Sequence, residues 1–349
     1  MFVFFNKIYH NLFNIDVSNK RVSWVDYGKC VCMLMVILSH TYVYYTKDTN
    51  LFLQLMQPTR LVVFFFISGY LIKLDSFDFN KMMHSIVKKL LFPYFVFTTI
   101  IWVPKHLGSE LNLLDAIIDI LGGYASWFVA ALAVSKITLS LILRYTKSLK
   151  KIWLFCILFA CVGLLIRQYI SGKILWYAHN GLISMIYLAI GITYKKYESY
   201  FNKSLMFQLI LSVSLYFTCV LLDHFIFKES VYIYRLPYGA ISLKGVFTFW
   251  VLSVLGIWMT INLVKVLPLG IRWMSYIGRN SLTYYYLNTG VLTVFIVVCS
   301  KIGLEYNGND YFTIGLYILT VLTLTLISKL ILRYAPWMLG DFRQFGKKK

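Results

Sequence analysis

The strongest constraint on this chain is a succession of apolar stretches, each close to twenty residues long and separated by short segments rich in lysine and arginine. A helix rises about 1.5 Å per residue, so a run of that length crosses the roughly 30 Å of hydrocarbon in a bilayer. The runs fall at 29–46, 57–73, 88–106, 125–144, 151–170, 174–194, 204–226, 240–266, 281–301 and 311–332. They predict an all-α fold, a polytopic membrane protein with about ten transmembrane helices. The second run is the most broken, because Gln57, Pro58 and Arg60 interrupt its start. Composition points the same way: 59% of the 349 residues are hydrophobic and 14% charged. A soluble domain needs about a quarter charged residues to cover its surface.

The charges are lopsided, with 34 Lys plus Arg against 14 Asp plus Glu and a formal net charge of +20. Such an excess on a soluble chain would point to nucleic acid. Here it follows topology instead. Most of the basic residues fall in the N-terminal segment, the 73–89, 144–151, 195–203 and 265–279 loops and the tail from Arg333. The alternate loops carry only scattered ones such as Lys47, Arg60, Lys105, Arg167 and Lys173. Basic loops stay cytoplasmic, which predicts both termini inside and a multi-pass protein of the plasma or inner membrane.

The expected organisation is a cytoplasmic interfacial segment (1–28), one transmembrane domain (29–332) and a basic cytoplasmic tail (333–349). Phe4, Phe5, Ile8, Tyr9, Leu12 and Phe13 recur at helical spacing, as in a helix lying on the membrane. The start is not a signal peptide, since its first apolar run is too short. LNLLDAIIDILGGY (111–124) is amphipathic and acidic, so it is expected at the surface. The six cysteines lie in apolar stretches without C-x-x-C spacing and read as packing residues. No metal site is expected.

Residues that do not belong in lipid carry the functional signal. An ionisable group at membrane depth costs roughly 2.5–3.5 kcal/mol on insertion scales, so each asks for a partner or a purpose. The first run holds Lys29 and His40. Eleven residues turn about 1100°, within about 20° of three full turns, so the two share one helix face about 16 Å apart along the axis. A fixed cation at the inner mouth and a proton acceptor deeper in suit a group-transfer pathway. The same pair also reads as a snorkelling lysine and a hydrogen-bonded histidine between helices. Lys136 is a second buried-cation candidate, in mid-span.

The text around these residues resembles a known family. Asp26-Tyr27-Gly28-Lys29, ten residues and then His40 matches the basic-X10-His signature that opens the acyltransferase family 3 membrane proteins. FFFISGYLI (64–72), KKLLFPY (88–94), SWFVAAL (126–132) and IGRNSLTYYYLN (277–288) resemble its later motifs, in order. Two departures stand out. The closing motif commonly ends in His where this chain has Asn288, which hydrogen-bonds but does not shuttle a proton, and the usual proline before the Phe pair of the second motif is missing. No esterase-like domain follows the tenth run, so the chain resembles the stand-alone sugar and polysaccharide O-acetyltransferases.

The resemblance implies transfer of an acetyl or other short acyl group from cytoplasmic acyl-CoA to a hydroxyl of a cell-surface glycan or lipid-linked sugar. It implies acetyl-CoA as the donor substrate and His40 as the catalytic residue, acting as general base or carrying the acyl group. Lys29, Lys136, Lys88 and Lys89 are the candidates for binding the phosphates of the donor. Arg60, Trp127, Tyr285 and Asn288 are those for the acceptor or the reacting acyl group. His106, His179 and His224 fall at outer span ends and read as interfacial. Asn280 and Ser281 read as capping residues. The expected partners are acyl-CoA, the saccharide acceptor and membrane lipid, with no nucleic acid. A glycan transporter or flippase is the other class considered. Transporters often show paired halves, and no such symmetry is visible in the sequence.

Overall fold

The computed structural model describes residues 22–47, 50–106, 112–228, 242–304 and 310–342, and every regular element among them is helical. The amphipathic stretch expected at the N-terminus, His10 included, lies outside the described residues, as does the tail beyond 342. In chain order the helices are α1 (Ser23–Thr41), α2 (Leu51–Leu55), α3 (Val62–Tyr70), α4 (Phe79–Lys105, with a π-helical turn at Val87–Leu91) and α5 (Leu113–Leu121). Then follow α6 (Trp127–Tyr145), α7 (Leu149–Tyr169), α8 (Ala178–Ile183), α9 (Met185–Lys196), α10 (Glu198–Phe201) and α11 (Leu205–Leu222). The last four are α12 (Leu243–Val266), α13 (Arg272–Arg279), α14 (Ser281–Lys301) and α15 (Asp310–Tyr334).

Among the described residues, seven helices are long and apolar enough to cross a membrane, or eight if the pair around Ser184, bent by 48°, is one span. The expectation of ten also counted the first two apolar runs, and these are built differently from the rest. The first run opens six residues before Lys29, at Ser23, and continues through a π-helical turn to Thr46. The second is broken: α2 and a run of turns lead into α3, only nine residues long. Nine residues rise about 14 Å, less than half the hydrocarbon thickness. Pro58 and the polar side chains of Gln57 and Arg60 sit where the helix fails to start.

Position in the bundle explains the difference. Helix α1 is buried on almost every side, from Trp24, Asp26 and Tyr27 through Met33, Val36 and Ile37 to Thr41. Eight of the nine residues of α3 are buried as well. Protein, not lipid, surrounds these two helices, so α1 tolerates Asp26, Lys29 and His40. Helices α7 and α11 are the reverse case and turn leucine, isoleucine and phenylalanine outward. Helix α5 is the expected surface helix, with Leu113, Leu114, Ile117, Ile118 and Leu121 exposed and only Ala116 buried.

Lipid is as apolar as leucine, so close packing and polar links hold such a bundle together rather than escape from water. Helices α3 and α9 pack backbone to backbone, with Gly69 against the Leu188 carbonyl and Gly191 against the Phe66 carbonyl. Gly69 and Gly191 thus permit the close approach of these two helices. Gly278 of α13 lies against the Asp26 carbonyl of α1 in the same manner. At the end of the bundle where α1 begins, Lys265 bonds Glu198 at 2.7 Å, Tyr194 at 2.9 Å and Asn202 at 2.7 Å. Tyr70 donates to the other oxygen of Glu198 at 2.7 Å, and the Lys265 ammonium lies over the rings of Trp24 and Tyr194. Five segments are tied at one buried cation.

All six cysteines are free thiols, three of them buried. The sequence placed His179 at an interface, but it is buried against Arg167, whose Nη1 lies 2.8 Å from its Nε2. The bend between α8 and α9 turns that stretch into the bundle.

Candidate active site

Two cavities enter the bundle from opposite ends of α1, and the residues singled out by sequence divide between them. The cavity at the His40 end has a volume of about 230 Å³. His40, Ser39 and Tyr44 line it from α1 and its π-helical extension, Gln54, Gln57 and Arg60 from the broken second run, and Lys105 from the end of α4. Ser126 and Trp127 contribute from the start of α6, and Tyr285, Tyr286 and Thr289 from α14. The cavity at the Lys29 end has a volume of about 540 Å³. Its polar lining includes Lys29, Lys73, Lys81, Lys136, Asp78, Ser68 and Ser281. Its apolar lining includes Met33, Phe64, Ile67, Leu71, Phe77, Phe128 and Leu132.

Helical periodicity explains the division. On α1, Lys29 and Met33 line the larger cavity, and Val36 and His40, at i+7 and i+11 from Lys29, line the smaller, so one stripe runs along both. On α6, Phe128, Leu132 and Lys136 recur every fourth residue along the larger cavity. On α14, Ser281 and Leu282 face the larger cavity and Tyr286 and Thr289 the smaller. Tyr285 lines both.

The histidine is held from the far end of the chain. Asn288 accepts from His40, Nδ1 to Oδ1 at 2.5 Å. The amide of Asn288 is itself oriented, because its Nδ2 donates to the carbonyls of Tyr284 and Tyr285. With both amide hydrogens used, the oxygen must face the imidazole, and the histidine proton sits on Nδ1. Nε2 then carries the lone pair. A second link binds the same helices, since Arg279 Nε lies 3.1 Å from Asp26 Oδ2 across a largely buried pair.

The smaller cavity is rich in hydrogen-bonding groups. Ser126 Oγ and Tyr286 Oη are buried and make no hydrogen bond to any described residue. Buried hydroxyls are seldom left so in a finished protein, and here they face a space that a polar ligand can enter. Lys105 adds a second cation beside Arg60, with its Nζ 3.3 Å from the Ala125 carbonyl.

Lys29 and Lys136, two of the candidate donor-binding lysines, both line the larger cavity, together with Lys73 and Lys81. Lys88 and Lys89 do not line it. They fall in the π-helical turn of α4, where Lys88 lies over the Phe342 ring, although the charge of Lys89 reaches Lys136. Asn288 stands behind His40 and does not line either cavity. His106 bonds the carbonyl of Trp102 and His224 packs on Phe225, and neither lines either of these two cavities. Asn280 donates back to the Tyr276 carbonyl, completing the end of α13 rather than capping α14 with its side chain.

Sequence reasoning passed over Lys73, Lys81, Lys105, Gln54 and Gln57, because in a chain with basic loops a loop lysine looks like a topology signal. Ser126 was visible only as the first residue of a motif. Among the described residues no group of three His, Cys, Asp or Glu side chains is placed to hold a metal ion.

Residues 22–333 match a family model described as an acyltransferase domain. No curated protein and no solved structure matches the chain.

Proposed function

Because this membrane protein belongs to the acyltransferase family whose domain spans residues 22–333, we propose that it is an O-acyltransferase acting on a saccharide. It moves an acetyl or other short acyl group from cytoplasmic acyl-CoA to a hydroxyl of a cell-surface glycan or lipid-linked sugar. With both termini inside, as the basic loops require, the larger cavity opens to the cytoplasm and the smaller to the outer face. The membrane is then the plasma or inner membrane.

One observation carries the reading. An oriented histidine with a basic Nε2 shares a cavity with Arg60, Trp127 and two buried hydroxyls that make no hydrogen bond among the described residues. A sugar presents hydroxyls to such groups and an apolar ring face to tryptophan. The donor fits the other side. Phosphate oxygens of CoA meet Lys29, Lys73, Lys81 and Lys136 along the cavity, and the pantetheine arm lies along Met33, Ile67 and Leu132.

In the chemistry we propose, His40 Nε2 takes the proton of the acceptor hydroxyl as the hydroxyl oxygen bonds to the thioester carbonyl carbon. The tetrahedral oxyanion faces Arg60. Collapse breaks the carbon–sulfur bond, and the proton passes from His40 to the departing CoA thiolate. Every atom is supplied by the two substrates.

The test is to incubate membranes with radiolabelled acetyl-CoA and candidate glycans, comparing wild type with His40→Ala at equal protein levels. Label should enter the glycan only with the wild type. Full transfer by the variant would remove His40 from the chemistry. A deletion strain that stops exporting glycan while still acylating it would point to a transporter.

A further inference from the structure

The two cavities meet at one side chain. Tyr285 lines both, and its ring packs against Phe128 with centroids 5.2 Å apart. Phe128 is braced in turn by Phe64 at 5.5 Å and Phe65 at 5.4 Å. On the other side Tyr285 touches Tyr286, which stacks on Phe97 at 5.2 Å. Phe64, Phe65, Phe97, Phe128 and Tyr286 are all buried, whereas Tyr285 is only partly so. Every member of the wall but Tyr285 is therefore enclosed by protein. The backbone of that member is pinned, because its carbonyl accepts from the amide of Asn288, the residue that holds His40.

Resting on the acyl-transfer reading above, we infer that Tyr285 is the septum through which the acyl group passes from the donor cavity to His40, and that its ring, backed by Phe128, limits acyl length. A thioester in the larger cavity must place its carbonyl carbon at this ring to meet a hydroxyl held near His40. Whatever lies beyond that carbon has to fit in the gap made when the ring turns aside. A two-carbon group needs a small displacement. A four-carbon chain needs room that Phe128, fixed by two further phenyl rings, does not yield. The closed ring also keeps the cavities from forming a continuous water path across the membrane. A pocket discriminates by about 10- to 200-fold for each methylene it refuses.

The experiment uses full-length protein in detergent with a saccharide acceptor and acetyl-, propionyl-, butyryl- or hexanoyl-CoA, and reads the mass of the product. Wild type should transfer acetyl far better than butyryl. Tyr285→Leu and Phe128→Leu, each verified as folded by gel filtration, should raise the butyryl-to-acetyl ratio of kcat/KM by about tenfold or more. Tyr285→Phe keeps the ring and should keep the wild-type ratio. A raised ratio in either leucine variant supports the septum. Unchanged ratios in both overturn it while leaving acyl transfer intact. Transfer from none of the acyl-CoA donors by wild type overturns both the septum and the reading on which it rests.

Discussion

His40 and Asn288 stand 248 positions apart in sequence and 2.5 Å apart in space, Nδ1 against Oδ1. The contact turns a departure from the family's usual ending into a device. Asn288 fixes the tautomer of His40 and leaves any proton transfer to the histidine alone. The amide is oriented by two backbone carbonyls, so it cannot flip without losing both bonds.

Asn288→Ala should therefore lower kcat while leaving KM for the acyl donor close to wild type. Removing the partner frees the ring rather than the base, so the loss should be about tenfold to a hundredfold, smaller than the loss on His40→Ala. Steady-state kinetics at varied acetyl-CoA separates the two parameters. A rise in KM with kcat unchanged would make Asn288 a binding residue instead.

The lysines of the larger cavity should act on donor affinity. Lys29→Ala and Lys136→Ala should each weaken CoA binding by about five- to tenfold, and raising ionic strength should reduce the difference from wild type. Lys88→Ala, outside the lining, should change affinity by about twofold or less. Calorimetric titration of CoA into the purified protein measures all three.

The glycine contacts predict a contrast in stability. A methyl at Gly191 would enter the Phe66 carbonyl, and one at Gly69 the Leu188 carbonyl. Either alanine variant should cost about 1–3 kcal/mol and lower the Tm in detergent. Gly28→Ala should be mild, since its nearest neighbour is the end of the Ile67 side chain at 3.4 Å. Equal melting of all three would refute the backbone-to-backbone packing of α3 on α9.

Asp26 and Arg279 should be coupled. Breaking a buried ion pair by removing one partner costs about 3–5 kcal/mol. Asp26→Ala and Arg279→Ala should thus each destabilise strongly, and the double variant should lose much less than their sum. Thermal melts of the four proteins in a double-mutant cycle measure the coupling, and strict additivity would dismiss the pair.

Asp78 carries a pH prediction. It caps α4 by accepting from the Lys81 amide at 3.0 Å, which holds its carboxyl below the ordinary range, with help from the Lys81 ammonium. A carboxyl with a depressed folded pKa stabilises above its unfolded value and loses that contribution as pH falls through the folded one. Protection of the Lys81 amide in hydrogen exchange should be constant near neutrality and decline only in acid. Decline near neutral pH would contradict the cap.

Much of the candidate site's grouping could be read before the fold was known. Lys29 and His40 share a stripe as their eleven-residue spacing required, and Arg60, Trp127 and Tyr285 converge on one cavity with His40. Lys88 and Lys89 did not follow, because the π-helical turn of α4 that carries them sets both off the cavity lining, with Lys88 over the Phe342 ring. The role of Asn288 also escaped. Its partner lies on another helix, and nothing within α14 marks which of its polar residues faces α1.

Local sequence determined the spans, because lipid acts on each helix separately and demands an apolar exterior wherever protein does not cover it. That demand is relaxed for the two central helices. Hydropathy reports contact with lipid, and α1 and α3 have almost none, so one is too polar and the other too short to satisfy it. Which helices become central is decided by close glycine contacts and by polar pairs such as Asp26–Arg279 and His40–Asn288. Those pairs join residues 253 and 248 positions apart, a separation at which only the packed bundle determines what meets.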